Sequence, residues 1–197
     1  MSTKPAADPI ETMAKCLAIS PTTGGGLHVA SINSQKTLAR WGVDGTLFPA
    51  DGYAFLPAPY GANCGFRREV WDAVGGFDES LTMGGDDFDF FWRAQLAGYS
   101  YMPAPDAVVQ YRLRSTWRSI WRRQYRFGKA NVQMYQRFRD QGLEPSSIAL
   151  AAKGWAWSIL MLPLAILMPT KRGAWIRTTA KRCGRLVGSL KLRHLYL

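Results

Sequence analysis

Two glycines, Gly84-Gly85, run directly into Asp86-Asp87-Phe88-Asp89 and then Phe90-Phe91-Trp92. Carboxylates packed that closely repel one another, so a chain that keeps them supplies a cation, a proton or a helix N-terminus among them. The glycines allow a sharp backbone turn. Phe90, Phe91, Ala94 and Ala97 then recur at helical spacing, which predicts a helix over 86–97 with Gly98 as its C-cap. Asp86 and Asp87 fall in its first turn, where unpaired N–H groups and the positive end of the dipole favour anions. Asp89 and Arg93 are four residues apart and can pair on one side. A shorter helix is expected over 67–74, with Val70, Trp71 and Val74 on one face and Gly75-Gly76 ending it.

Two readings of the aspartates stay open at this point. Helix capping plus an ordinary Asp–Arg pair explains two of the three. The competing reading is a general base held near a helix N-terminus, at the mouth of a cleft.

The order of motifs around the cluster is specific. Gly61-Ala62-Asn63 is followed by Phe66-Arg67-Arg68-Glu69, then by Val74-Gly75-Gly76-Phe77-Asp78-Glu79. Asp86-Asp87-Phe88-Asp89-Phe90 comes next, with Trp92-Arg93 and Ala97-Gly98-Tyr99 after it. This set resembles the acceptor-side half of glycosyltransferase family 2 enzymes, which have the GT-A fold, over about residues 54–141. The resemblance implies a partial GT-A-like mixed α/β sheet with helices. It maps the family's catalytic base onto Asp87, which would deprotonate an acceptor hydroxyl for attack on the anomeric carbon of a nucleotide sugar. Asp86 stands where the family more often has Glu. Asn63, Asp86, Asp89 and Arg93 are the implied pocket residues.

The family also implies a divalent metal, Mn or Mg, bound through an Asp-x-Asp motif in a nucleotide-binding half of strand–helix repeats. The expectation is that this chain begins after that half, so the Asp-x-Asp ligands are absent and the chain is a fragment, one product of a divided gene whose N-terminal half is separate, or a degenerate remnant. Many members carry a His in the strand after the acidic helix. Here that neighbourhood reads Val108-Val109-Gln110-Tyr111-Arg112, and Gln is a poor substitute for imidazole at a metal.

Charge divides the chain of 197 residues. Up to Gln110 there are 7 Lys and Arg against 12 Asp and Glu, and from Tyr111 on there are 18 against 2. No acidic residue follows Glu144. Eight Trp, eight Tyr and nine Phe argue against disorder. Cys16, Cys64 and Cys183 are far apart and odd in number, so reduced thiols are the default. His28 and His194 stand alone and read as non-ligands.

Early in the chain, 1–13 is polar without the apolar core of a signal peptide. A short strand is expected at 16–20, a loop at 21–26, a strand at 27–32 and a helical turn at 34–40. Further strands are expected at 43–48, 53–56 and 60–66. Beyond the acidic helix, two strands are expected at 99–102 and 107–113, separated by Pro103 and Pro105.

The clearest helix spans 115–139, capped by Ser115 or Thr116. Trp117, Ile120, Trp121, Tyr125, Gly128, Val132 and Tyr135 follow helical spacing. Arg114, Arg118, Arg122 and Arg126 recur every four residues on another face. Like charges at that spacing destabilise an isolated helix, so the stripe is either a solvated face or the seat of an anion. Arg122 and Arg126 are the candidate phosphate contacts, for a nucleotide diphosphate, a lipid phosphate or a membrane surface. Arg123 to Phe127 is loosely similar to the Gln-x-x-Arg-Trp motif of processive members, with Arg123 where the motif has Gln and Phe127 where it has Trp.

Residues 154–169 carry no charge. As a helix they reach about 24 Å, short of the hydrocarbon layer of about 30 Å. Pro163 breaks the middle, and both flanks are basic. A kinked hairpin or interfacial segment with both ends cytoplasmic is expected, Trp155 and Trp157 lying near the headgroups, with a single crossing as the open alternative. Residues 171–197 interleave Lys and Arg with Trp175, Ile176, Leu186 and Leu190, a basic amphipathic helix suited to an anionic membrane surface.

The expected division is thus poorly defined strands and loops at 1–52, the GT-A acceptor half at 53–141, and a hydrophobic hairpin or transmembrane segment plus a basic amphipathic tail at 142–197. The expected function is inverting sugar transfer from a nucleotide sugar to a lipid-linked or saccharide acceptor at the cytoplasmic face of a membrane. The competing class is a non-catalytic membrane-associated protein that keeps the glycosyltransferase fragment. Nucleic acid is not an expected partner, since no base-reading module is visible.

Overall fold

The computed structural model describes residues 8–49 and 55–196. They form two compact units that alternate along the chain. Among the described residues the first draws on 8–32, 45–49, 55–80 and 86–111, and the second on 33–44, 81–85 and 112–196.

The first unit is built on a mixed sheet. Its centre is β1 (Thr22–His28), TTGGGLH, buried along almost its whole length. β3 (Cys64–Phe66) pairs antiparallel with the first residues of β1, and β2 (Thr46–Leu47) pairs antiparallel with the last. β4 (Tyr101–Gln110) runs parallel to all of β1. This corrects two expectations. The glycine run is a buried strand, not a loop: a Cβ on Gly25 would lie 1.9 Å from the Ala107 carbonyl oxygen, so only glycine lets these backbones meet. The segments on either side of the prolines are one strand, whose register slips between Gly25 and Gly26 so that Ala104 and Val108 are successive partners. Pro105 falls in the bulge, where it owes the ladder no N–H.

Three helices complete this unit. α1 (Pro9–Ile19) replaces the short strand expected at 16–20: the Asp8 carboxylate accepts from Ile10 N and Pro9 opens the first turn. α3 (Arg68–Val74) and α4 (Asp86–Leu96) stand where the periodicity put them. Arg67, the N-cap of α3, donates from Nε and Nη2 to Leu17 O and Ala18 O at the end of α1. Phe66, Trp71, Phe77 and Phe90 stack as one cluster, with Phe66 and Phe90 centroids 4.6 Å apart. Of the strand expected at 53–56, residues 53 and 54 lie outside the described residues and 55–56 form a bend. Residues 1–7 are likewise outside them.

The second unit is helical. α2 (Gln35–Trp41) is capped by Ser34. α5 (Trp117–Phe138) starts at Thr116, whose hydroxyl accepts from Ser119 N. α6 (Ile148–Leu160) and α7 (Leu162–Leu167) split the uncharged stretch, Pro163 lying in the first turn of α7. α8 (Pro169–Leu192) is the long basic helix. Among the described residues no helix is long and apolar enough to cross a membrane.

α8 is not a free tail. Gly173, Ala180, Gly184 and Gly188 form a buried stripe along it. A Cβ on Gly184 would lie 2.0 Å from the Tyr125 carbonyl oxygen, and one on Gly128 2.1 Å from that of Lys181. Backbone therefore meets backbone where α8 crosses α5. Burial in this seam holds the Lys181 ammonium down at about 8, with Arg185 adding to the shift. Gly184→Ala is expected to lose about 1–3 kcal/mol, because neither carbonyl can move aside. A fall in the urea midpoint without a change in slope would show it.

Candidate functional site

Asp87 sits in the first turn of α4, half-buried, with both oxygens engaged. Oδ2 accepts from Gly61 N at 3.1 Å and Oδ1 accepts from Phe88 N at 2.9 Å. A Cβ on Gly61 would lie 3.1 Å from the Asp87 Cβ, so the loop comes this close because residue 61 has no side chain. Burial pushes the Asp87 carboxyl above its usual 3.8; the two backbone donors oppose the shift and the Asp86 charge adds to it. The group is thus a carboxylate with raised basicity, fixed in place by two N–H groups. That is what proton abstraction from an alcohol requires. The Cys64 thiol lies in the same surroundings, donating to Gly61 O at 3.6 Å. Burial, then Asp87 and Asp86, push it up to about 11, so it stays protonated.

The other residues singled out around Asp87 hold the frame. Asn63 is buried, and its Nδ2 donates to Gly26 O and Ala107 O, both at 2.8 Å. It plugs the hydrogen bonds opened by the β4 bulge and so sets the loop that carries Gly61. Asp89 is fully buried and receives Arg93 Nε at 2.8 Å and Nη2 at 2.7 Å. Arg93 also donates to Val74 O and Gly76 O, tying the end of α3 to α4. Asp86 is exposed beside Asp87.

Arg122 and Arg126 belong to the second unit, where they line a concavity of about 560 Å³ with Arg114, Arg118 and Arg123. Thr116, at the N-terminus of α5, and Met83-Gly84 complete its wall. Arg126 donates to Thr82 O. Arg123 lies over Trp41 and Phe127, its carbon 5.4 and 4.7 Å from the ring centres. Among the described residues Arg114, Arg118 and Arg122 have no carboxylate partner. A phosphoryl group is the anion this arrangement fits, since guanidinium forks match its oxygens.

The sequence singled out two of these arginines, but the four-residue stripe already placed Arg114 and Arg118 on the same face. The Gly61 amide was missed as a donor to Asp87; a backbone group leaves no residue-type signal. Among the described residues no three His, Cys, Asp or Glu side chains converge as a metal site.

Comparison with known proteins bears on residues 32–180, which match the family model described as Glycosyl transferase family group 2. No curated protein and no solved structure matches the chain.

Proposed function

The chain belongs to glycosyl transferase family group 2, and from that premise we propose that Asp87 is the general base of an inverting sugar transfer to an acceptor hydroxyl at a membrane. The family implies a nucleotide sugar donor and an acceptor. The observation that supports the finer reading is the environment of Asp87: half-buried, raised above 3.8 and held by the Gly61 and Phe88 amides.

In the proposed step the Asp87 carboxylate takes the proton of the acceptor hydroxyl. The freed oxygen lone pair forms the new bond to the anomeric carbon from the side opposite the leaving group. The bond from that carbon to the diphosphate oxygen breaks, and the nucleoside diphosphate leaves with that electron pair. The configuration inverts. Separately, within the second unit, Arg122 and Arg126 with their neighbours in the concavity are assigned to a phosphoryl group. The divalent ion that the family implies would neutralise the leaving diphosphate, and the residues described supply no ligand set for it.

The test is transfer of label from nucleotide sugars to lipid and saccharide acceptors, by the chain alone and joined to a nucleotide-binding half of the family. A base must be ionised to act, so the rate is expected to fall as pH drops through the Asp87 value, above 3.8. An acid limb that is unchanged in the residual activity of Asp87→Asn would remove Asp87 from the role. If the chain binds lipid but neither transfers sugar nor takes up nucleoside diphosphate in calorimetry with Mn²⁺, the non-catalytic membrane reading replaces this one.

A further inference from the structure

Helices α6 and α7 are inside out. Residues that turn inward are small or polar: Gly154 and Ser158 are buried on α6, and Ala165 is buried on α7. Ser158 is the hub of a polar seam with α8. Its hydroxyl receives Arg182 Nη1 at 2.9 Å and Thr179 Oγ1 at 3.2 Å, and its carbonyl receives Trp175 Nε1 at 2.7 Å. The large aliphatic side chains point outward. Ile159, Leu160, Ile166 and Leu167 are 72, 70, 62 and 76% exposed, and Leu162 and Leu164 are 40 and 38% exposed. A water-facing helix has the opposite pattern. Small residues inward and aliphatic residues outward suit a helix bathed in lipid.

Length decides how such a ridge meets lipid. α6 has 13 residues and α7 has 6. At about 1.5 Å per residue they are about 20 and 9 Å long, joined through Met161, which keeps helical dihedrals and donates to Trp157 O. Neither alone crosses a layer of about 30 Å, Lys153 interrupts the apolar surface of α6, and both helices pack along α8 on one side. Charge decides which surface receives the ridge. Lys171 and Arg172 follow it immediately, and no acidic residue comes after Glu144. A second copy would bring the same cations against these, which costs association.

A hollow of about 360 Å³ opens at the α7–α8 junction, lined by Lys36, Arg40, Trp117, Pro169, Thr170 and Arg172. Arg172 donates from Nε to Ala165 O at 3.1 Å and from Nη2 to Ile166 O at 2.9 Å, so one guanidinium joins the end of the ridge to the hollow. The Arg40 guanidinium lies over the Trp117 ring, 4.6 Å from its centre.

We propose that α6–α7 lies in the interface of an anionic bilayer without crossing it, its aliphatic ridge among the lipid chains and the cations at the mouth of the hollow, Lys36 foremost since Arg40 and Arg172 already donate to Ser115 O, Ala165 O and Ile166 O, facing the headgroup phosphates. The ridge supplies apolar burial and the hollow selects the charge. The proposal deepens the reading of a membrane-borne acceptor, and it rests on that reading for its role in the reaction.

The experiment is flotation of the full chain with vesicles of phosphatidylcholine, alone or mixed with phosphatidylglycerol. Wild-type chain is expected to float with the mixed vesicles, less at high salt but still measurably. The surface pair Ile166→Asp/Leu167→Asp is expected to cut partitioning by about tenfold or more, while circular dichroism stays unchanged. Lys36→Glu is expected to cut the preference for phosphatidylglycerol by roughly fivefold. Absence of vesicle binding by the wild type would overturn the proposal. So would equal binding by the aspartate pair, which would mean charge attraction without insertion. A dimer in sedimentation velocity that the aspartate pair dissolves, with no flotation, would assign the ridge to a second copy instead. Flotation reads no sugar transfer, so it can fail while the Asp87 assignment stands, and the reverse also holds.

Discussion

Asp87→Asn is expected to lower the turnover of sugar transfer by about 10²–10⁴-fold, the range a positioned general base contributes. The substitution is nearly isosteric. Its amide oxygen can keep one of the two backbone donors, Gly61 N or Phe88 N, so the loop stays in place. What disappears is the lone pair that takes the proton. Because binding is untouched, the loss belongs in kcat and not in the KM for donor. A carboxyl whose folded value is raised favours the fold below its unfolded value, and that contribution is lost as pH rises through the folded one. Stability of the wild type should therefore decline as pH rises through the Asp87 value, and the asparagine variant, which cannot ionise there, should lack that part of the pH dependence. Asp86→Asn is the control: the side chain is exposed, and its removal should change turnover by less than about tenfold. Full activity in the Asp87 variant would end the assignment.

Arg93→Leu should be the most damaging substitution for stability, at about 3–5 kcal/mol, the cost of breaking a buried ion pair by removing one partner. Asp89 is fully buried and loses its guanidinium partner. The carbonyls of Val74 and Gly76 lose their donor at the same time. Lysine cannot replace this arginine, because one ammonium does not reach a carboxylate and two carbonyls in the required fork. Removing both charges, as Asp89→Leu/Arg93→Leu, should cost less than removing Arg93 alone, since no buried carboxylate is then left behind. Urea melts of the three variants decide it. A single-variant loss below about 1 kcal/mol would put the pair in the class of surface contacts.

Helices with caps and a periodic apolar face were legible in the sequence. α3, α4 and α5 lie within a few residues of where Gly75, Gly84-Gly85 and Thr116 put them. The Asp89–Arg93 pair followed from spacing alone. Segments whose structure depends on distant partners were not legible. Gly24, Gly25 and Gly26 have loop composition, and they form a strand whose close neighbours, Pro59 at Gly24, Asn63 and Ala107 at Gly25 and Phe48 at Gly26, lie far along the chain. The β4 bulge is invisible until Asn63 is seen filling it. The cationic side of α8 hid a stripe of small residues whose meaning depends on α5. At the candidate site the carboxylates could be read, but the amide that steadies Asp87 could not, because every residue has one.

The alternation of the two units has a practical consequence for dissection experiments. A stop codon after Tyr111 would seem the natural way to ask whether the cationic half is dispensable. It would also orphan residues 33–44 and 81–85, which belong with what is deleted. Leu38 and Trp41 would be uncovered, and the Trp41 indole would lose its acceptor, the Arg114 carbonyl. Such a fragment would be sticky for reasons unrelated to lipid or sugar, and only point substitutions in the intact chain give an answer free of that artefact.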